Sequence, residues 1–362
     1  MRDFSESKVA PVAEELDREE RFPYELVQEM AELGLMGIPI PEEYGGAGAD
    51  TASYAIAIEE LTRIDSSVAI TVAAHTSLGT MPIYLYGSEE QKQEWVPQLA
   101  SGAKLAAFGL TEASAGSDAG ATRTRAELRD GQWVVNGSKM FITNAGTDIT
   151  ACVTITALTG DDEISNIIVP NGTPGYDISA PMKKLGWHAS DTRELSFKDC
   201  AVPEGNLLGP RGKGFHQFME ILDSGRISVA SMGVGLAQGA YDLAFAYAKE
   251  RQQFGRPIAK FQAVQFALAD MATEIEAGRQ LVYRAAWLKD QGKEFALAAA
   301  QAKLYTGLLS NRAVNAALQI HGGYGFMEEY AISRLYRDQK ILEIGEGTNE
   351  VQRMVIAKLL GI

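Results

Sequence analysis

Three long stretches after residue 209 repeat apolar residues at spacings of three and four, and they limit what this part of the chain can become. They begin RISVASMGVGLAQG, FQAVQFALADMATE and KEFALAAAQAKLYTG. Helices that are long and apolar on one face must bury that face, so we predict a helical bundle. Several are rich in Ala with few charges on any face, which favours packing against neighbouring subunits as well.

The residues before this bundle show two other patterns of apolar residues. Residues 105–208 contain short alternating runs such as GQWVVNGSKMFITN, ITACVTITAL and TRELSFKDCAV between Gly, Asn and Asp residues, which indicates strands and turns. Residues 1–104 show helical spacing, as in PYELVQEMAELGLMG. We therefore predict a mainly α fold with three domains: helices in 1–104, an antiparallel β domain in 105–208, and the bundle in 209–362.

The charge and the cysteine count exclude several classes of function. A net charge of -14 repels nucleic acid and anionic membrane surfaces, so we expect neither as a partner. Two cysteines are too few for a disulfide framework or a Cys-based zinc site, and the four histidines lack metal-ligand spacing, so we expect no metal.

The composition is that of a soluble protein. Apolar residues make up 46% and charged residues 22%, and we expect no stretch to approach the uncharged run of ~18 residues that a membrane span needs. The start, MRDFSESKVAPVAEELDREE, has the pattern of neither a secretory signal nor a transit peptide. We expect a cytoplasmic location, or the mitochondrial matrix only if a transit peptide is missing from this sequence.

A glycine-rich segment at 110–127, LTEASAGSDAGATRTRAE, is a candidate anion-binding loop. Gly116 and Gly120 allow backbone N–H groups to approach an anion closely, and Thr111 and Ser117 add hydroxyl donors. A hairpin turn of the same composition remains an alternative. Two later segments, RQQFGRPIAKFQ at 251–262 and QIHGGYGFMEEY at 319–330, combine Arg or Gly with a helix end, and each could be a helix stop instead.

Glu346 stands between Gly345 and Gly347 in EIGEGTNEVQ, where one helical pattern stops and another begins. The glycines could only let the backbone turn and leave Glu346 in solvent. Alternatively, they clear space for a functional carboxylate.

Eight stretches, in order, resemble the acyl-CoA dehydrogenase family over nearly the whole chain. They are IPIPEEYGGAG, FGLTEASAGSD, NGSKMFITN, KLGWHASDT, LDSGRISVAS, RQQFGRPIAKFQ, QIHGGYGF and IGEGTNEVQR. The resemblance implies a homotetramer whose subunit has a helical domain, a β-barrel or sandwich and a C-terminal four-helix bundle. It also implies FAD as cofactor, oxidation of an acyl-CoA to its trans-2-enoyl-CoA, and an electron-transferring flavoprotein as partner.

The resemblance also assigns residues. Glu346 matches the catalytic base, which takes the α-proton while a hydride leaves the β-carbon toward flavin N5. Its own backbone N–H and a ribityl hydroxyl of FAD would bind the thioester oxygen. Positions that match FAD contacts are Phe108, Leu110, Thr111, Gly116, Ser117, Phe141, Thr143, Arg251, Phe254, Gln262, Gln319, Gly322, Gly323, Thr348 and Glu350. Arg251, Phe254, Gln262, Gln319, Gly322 and Gly323 would meet the FAD of a neighbouring subunit. Positions predicted to bind the substrate are Leu78, Ser117, Asp223, Arg226, Gly345 and Gly347.

Two positions depart from the family pattern, and two other functions stay open. Gly345 stands where many relatives carry an aromatic residue, which favours a pocket for short branched or cyclic acyl groups. Phe141 replaces a frequent tryptophan. An oxidase that reduces dioxygen and a non-catalytic acyl-CoA-binding or assembly protein are the alternatives. For Asp223 and Arg226 the alternative is a simple ion pair along a helix.

Overall fold

The computed structural model describes residues 1–362, and the chain begins with a layer of helices. Side chains cap three of them: Asp50 accepts from Ser53 N at 2.7 Å, Asp65 precedes the next, and Ser88 forms a capping box with Gln91. The helices are α1 (Arg2–Phe4), α2 (Ala13–Glu19), α3 (Tyr24–Glu32), α4 (Thr51–Thr62), α5 (Ser66–Ala74), α6 (Met81–Tyr86) and α7 (Glu89–Ala100). Wider π-helical turns span Ser5–Val9 and His75–Thr80.

The segment Ser66–Tyr86 corrects one expectation from the sequence. Its 21 residues are apolar and long enough to cross a membrane by length and composition, so an uncharged stretch of that length does exist. In the structure the segment is α5, a π-helical turn and α6, and 78% of its most apolar window is buried inside the protein. Its apolar character therefore serves the protein core.

The middle of the chain forms an eight-stranded sheet. The strands are β1 (Leu105–Gly109), β2 (Arg125–Arg129), β3 (Gln132–Thr143), β4 (Thr150–Gly160), β5 (Glu163–Pro170), β6 (Tyr176–Ile178), β7 (Thr192–Pro203) and β8 (Leu207–Leu208). The order is β6-β7-β3-β2-β4-β5-β8, with β1 also paired to β4. The wholly antiparallel prediction was wrong in detail, because β1 and β2 run parallel to β4. Local alternation of residues does not encode the direction of a strand's partner.

Long helices form the last part of the chain. They are α8 (Gly214–Glu250), α9 (Gln262–Asp290), α10 (Ala296–His321), α11 (Ala331–Asp338) and α12 (Asn349–Leu360), with a hairpin of β9 (Gln252–Gln253) and β10 (Arg256–Pro257) between α8 and α9. Small residues let α8 and α10 approach closely: a Cβ at Gly233 would lie 2.7 Å from Thr306 Cβ. The domain boundaries at 104/105 and 208/209 stay predictions from the sequence.

An apolar cluster joins the three parts where the candidate site lies. Phe108 of β1 stacks on Phe218 of α8 with ring centroids 6.0 Å apart, and Ile221 completes the buried centre of the cluster. Leu78 from the π-helical turn and Leu110 after β1 pack against it. These contacts bring the helical layer, the sheet and α8 to one junction.

Candidate active site

Glu346 sits in a left-handed turn just before α12. Its φ is 51°, and Gly347 follows with a φ of 90°. Thr348 then caps α12 by accepting from Val351 N at 3.2 Å. Asn349, the first residue of α12, donates its side-chain N–H to Glu343 Oε2 at 3.3 Å.

The carboxylate of Glu346 is turned into the protein rather than left in solvent. A Cβ placed on Gly225 of α8 would lie 2.2 Å from Glu346 Oε2, so the carboxylate occupies the space of the missing side chain. Oε2 is inaccessible to solvent and has no hydrogen-bond partner. A buried carboxylate oxygen without a donor is costly, which is typical of functional sites.

Burial raises the pKa of Glu346 to about 7, although Arg226 and Lys303 oppose the shift. Desolvation therefore outweighs the attraction of the two cations for the ionised form. Near neutral pH the group therefore exchanges between its two protonation states, as a general base requires.

Arg226 and Asp223 form the ion pair that was the alternative reading of these two residues. Arg226 Nη1 contacts Asp223 Oδ1, and Arg226 is only 1% exposed. Burial lowers the pKa of Arg226 and raises that of Asp223, and Arg226 is close enough to Glu346 to affect its ionisation. The predicted contact of this pair with CoA remains a prediction.

The backbone around Glu346 has a free donor. The N–H of Glu346 donates to no group of the protein. A free N–H beside a buried carboxylate offers a hydrogen bond to a carbonyl oxygen whose α-carbon faces that carboxylate. Leu78, Phe108 and Leu110, which pack against α8 one turn before Gly225, supply apolar surface nearby.

The glycine-rich segment after β1 forms an open loop that is fixed at both ends. Met140 N donates to Thr111 O at 2.8 Å. No atom lies within 4 Å of a Cβ built on Gly116, and Ser117 is exposed. The N–H groups of Gly116 and Ser117 have no acceptor within the protein, so this loop presents unpaired donors.

Glu112 anchors this loop, a role that was not predicted from the sequence. Its carboxylate accepts from Thr122 Oγ1, from Arg123 N at 2.7 Å and Thr124 N at 3.1 Å, and from Lys139 Nζ at 2.7 Å. Burial opposes ionisation of Glu112, but the hydrogen bonds from Lys139 and Thr122 outweigh it and lower its pKa to about 2. Lys139 itself is fully buried.

Phe141 and Thr143 lie near the end of β3. Phe141 has a φ of 64° and its side chain is 61% exposed, which is unusual for an aromatic residue in both respects. Thr143 pairs with Thr192 of β7 in the sheet, and its hydroxyl makes no hydrogen bond within the protein. An exposed ring held in a strained backbone is available to a flat ligand.

The other predicted cofactor contacts form a separate group. Arg251, Gly322 and Gly323 line a cavity of about 400 Å³ with Tyr247, His321 and Tyr324. The Arg251 guanidinium lies 5.2 Å from the centre of the Tyr324 ring. None of the residues around Glu346 lines this cavity, so one chain alone does not bring the two groups together.

The remaining predicted residues lie at the surface. Phe254, at the tip of the β9–β10 hairpin, is 93% exposed, and Gln262 begins α9. Gln319 is exposed near the end of α10. Glu350 is exposed and pairs with Arg353 at 3.4 Å.

Three family models match consecutive parts of this chain. They describe the N-terminal domain (residues 1–103), the middle domain (107–200) and the C-terminal domain (212–361) of acyl-CoA dehydrogenase. A "Probable acyl-CoA dehydrogenase YngJ" of Bacillus subtilis is 52% identical over 99% of this chain and 96% of its own length.

Solved structures agree with these matches. Butyryl-CoA dehydrogenase of Megasphaera elsdenii superposes with a TM-score of 0.97 at 44% identity, covering 100% of this chain and 96% of that one. A chain in the structure named "Electron transferring flavoprotein of Acidaminococcus fermentans: Towards a mechanism of flavin-based electron bifurcation" also gives 0.97, at 46% identity, covering 99% and 95%.

Proposed function

The chain belongs to the acyl-CoA dehydrogenase family of oxidoreductases, and from this premise we propose that it converts an acyl-CoA to the trans-2-enoyl-CoA with Glu346 as the base. One observation supports this role above the others: a carboxylate oxygen without a partner lies buried against Gly225, next to the free N–H of the same residue. That pairing of an acceptor and a donor suits removal of a proton beside a thioester carbonyl.

Members of this family are FAD flavoproteins, and the residues present fit FAD. The unpaired N–H groups of Gly116 and Ser117 suit a diphosphate, and the exposed ring of Phe141 suits the flat isoalloxazine. Thr111 and Thr143 add hydroxyls that the protein leaves unpaired. When bound, FAD supplies the acceptor for the hydride that leaves the β-carbon of the substrate.

The chain's own residues prepare the substrate to lose its α-proton and the hydride on its β-carbon. The N–H of Glu346 donates to the thioester oxygen, where negative charge grows as the α C–H bond breaks. The Glu346 carboxylate takes the α-proton and becomes a neutral acid. The electron pair left on the α-carbon forms the new double bond as the hydride departs. Apolar side chains such as Leu78 exclude water and keep the base in its desolvated state.

The residue before the base suggests which acyl groups enter. A Cβ on Gly345 would lie 3.3 Å from Ile341 O, which is a tight contact, and 3.9 Å from Ile341 Cγ1; no other atom lies within 4 Å, so apart from Ile341 the position leaves room. We propose that this room admits a branch or ring on a short acyl group. The family member of Megasphaera elsdenii acts on butyryl-CoA, which makes a short chain the reference substrate.

Assembly and electron transfer complete the proposal. The cavity lined by Arg251, Gly322 and Gly323 does not include Glu346 or its neighbours, which supports a site completed by a second subunit in a homotetramer. The structure named for an electron transferring flavoprotein supports a flavoprotein of that kind as the electron acceptor. A cytoplasmic location stays a prediction from the sequence.

Anaerobic mixing of the flavin-loaded protein with acyl-CoA esters tests the function. We expect butyryl-CoA and its branched and alicyclic analogues to bleach the flavin absorbance, and Glu346→Gln to remain yellow, folded and unbleached. Full bleaching by Glu346→Gln would contradict the base assignment. Turnover of straight butyryl-CoA alone would remove the proposal for Gly345, and peroxide release in air without an acceptor would favour the oxidase.

A further inference from the structure

Two buried side chains hold the turn on which Glu346 sits. Lys303 Nζ, on α10, donates to Gly347 O at 2.7 Å. Gln352 Nε2, on α12, donates to Glu346 O at 3.1 Å and to Gly347 O at 3.0 Å. Both side chains are 0% exposed, so the two carbonyls are fixed from two separate helices.

The turn needs such support because its backbone is strained. Glu346 has a φ of 51°, a region that disfavours residues with a side chain. A backbone of this kind persists only where the surroundings hold it in place. The turn carries both the carboxylate and the free N–H, so a rotation of one peptide would displace both groups.

Burying Lys303 in the core carries a desolvation penalty. Lys303 forms no ion pair, and its hydrogen bond to Gly347 O is the one polar contact of its ammonium. The charged groups that affect it are Glu346, Arg226, Glu343 and Glu350, and burial lowers its pKa to about 8 despite the nearby carboxylates. An apolar side chain of equal length would fill the same space without the desolvation penalty.

We propose that Lys303 is a positioning residue for the base: with Gln352 it holds the turn so that the Glu346 carboxylate stays against Gly225 and the Glu346 N–H stays free for the substrate oxygen. This inference rests on the proposed function. It adds to that function a residue that touches neither substrate nor cofactor. The charge of Lys303 has a second effect, because a nearby cation favours the ionised form of Glu346.

Lys303→Met tests the inference, since methionine keeps the length and removes the donor and the charge. We expect kcat per bound flavin to fall about 100-fold, because a small displacement of reacting groups has effects of that size. The KM for butyryl-CoA should change little. The acid limb of the pH profile should move to higher pH, and Lys303→Arg, which keeps a charged donor, should recover most of the activity.

The pH dependence of Tm, which needs no turnover, checks whether Lys303 affects the pKa of Glu346. Burial raises the pKa of Glu346 in the folded protein above its unfolded value of 4.5. The wild type should therefore lose Tm relative to Glu346→Gln as pH rises from about 4.5, and the difference should level off above about pH 7. In a Lys303→Met background the pKa of Glu346 is higher, so the difference should keep growing to a higher pH.

Control variants distinguish a loss of positioning of the base from a general loss of stability. Lys289→Met, a matched change at a half-buried lysine of α9, should leave kcat and the pH midpoint unchanged. A Lys303→Met protein that loses only Tm or flavin, with unchanged kcat per flavin and pH midpoint, would overturn the inference. If Lys303→Met does not fold, Gln352→Met is measured, and an unchanged kcat in that variant would also overturn it. Activity in Glu346→Gln would instead refute the proposed base itself.

Discussion

At the scale of single residues, Gly225 decides where the carboxylate of Glu346 can rest. Any side chain at this position would collide with Oε2, since a Cβ there would lie 2.2 Å away. The empty position on α8 is therefore part of the site, although glycine carries no functional group.

Gly225→Ala should separate catalysis from stability. Alanine favours a helix interior over glycine by about 1 kcal/mol, so α8 should not be weakened locally. The carboxylate must move to avoid the methyl group, and we expect the rate of flavin reduction in stopped-flow mixing with butyryl-CoA to fall about 100-fold. Gly205→Ala, where nothing lies within 4 Å of the added Cβ, is the matched control. Equal rates in the two variants would argue against a fixed resting place for Glu346.

The residues of this site differ in how well the sequence predicts them. Glu346 was predicted to be the base because two glycines flank a carboxylate in a family motif. Gly225 and Lys303 were not predicted. In the sequence, Gly225 resembles an unfavourable residue within a helix, and Lys303 resembles an ordinary surface charge. The available signal for Lys303 was a single cation in the otherwise uncharged stretch ALAAAQAKLYTGLL.

At the scale of elements, the loop after β1 depends on a buried ion pair. Glu112, at the start of the loop, accepts from the backbone of Arg123 and Thr124 at its end and from the fully buried Lys139. One carboxylate thus closes a loop whose own regular hydrogen bonding is limited to a backbone bridge between Glu112 and Ala115 and a short helical turn at Ala119–Ala121.

Glu112→Gln should loosen this loop. The amide removes the negative charge and leaves Lys139 buried without its partner, a loss of about 3 to 5 kcal/mol for a pair of this kind. We expect a lower Tm and faster release of FAD, measured by the rise of flavin fluorescence on dilution. Glu127→Gln, on the exposed face of β2, should change neither quantity. Tight flavin binding in Glu112→Gln would show that the loop keeps its shape without the pair.

Helices and strands were predicted better than the pairing and contacts between them. The spacing of apolar residues located the long helices and the main strands, because that spacing is a local property. The parallel pairing of β1 with β4 joins residues 105–109 to 150–155 and has no local signature. The left-handed turn at Glu346 was also out of reach, since it depends on Lys303 and Gln352 from two helices.

At the scale of the whole molecule, Asp338 joins three parts of the chain. Its Oδ2 accepts from Ser66 Oγ at 2.6 Å, and its Oδ1 accepts from Trp187 N at 2.7 Å. Burial raises its pKa to about 6, and Asp65 adds to the shift. One buried carboxylate on α11 thereby fixes the first helices and the loop before β7 against the last helices.

Asp338→Ala should weaken the whole structure. It leaves the buried Ser66 hydroxyl and the part-buried Trp187 N–H without acceptors, at about 1 to 3 kcal/mol each. We expect chemical denaturation at fixed protein concentration to show a loss of about 2 to 6 kcal/mol, and Asp161→Ala in the exposed turn after β4 to show none. A wild-type denaturation curve for Asp338→Ala would mean that other contacts alone align the three parts.

The hairpin between α8 and α9 has a consequence for how the protein is made. Phe254 leaves the ribosome on a chain that offers no cover for its ring, which is 93% exposed in the finished fold. An apolar ring that stays in water gains free energy by contact with other apolar surface, so we expect newly made chains to associate through this tip when they are concentrated. Yield should therefore depend on how fast chains are synthesised, with slow expression at low temperature giving more usable protein than rapid induction.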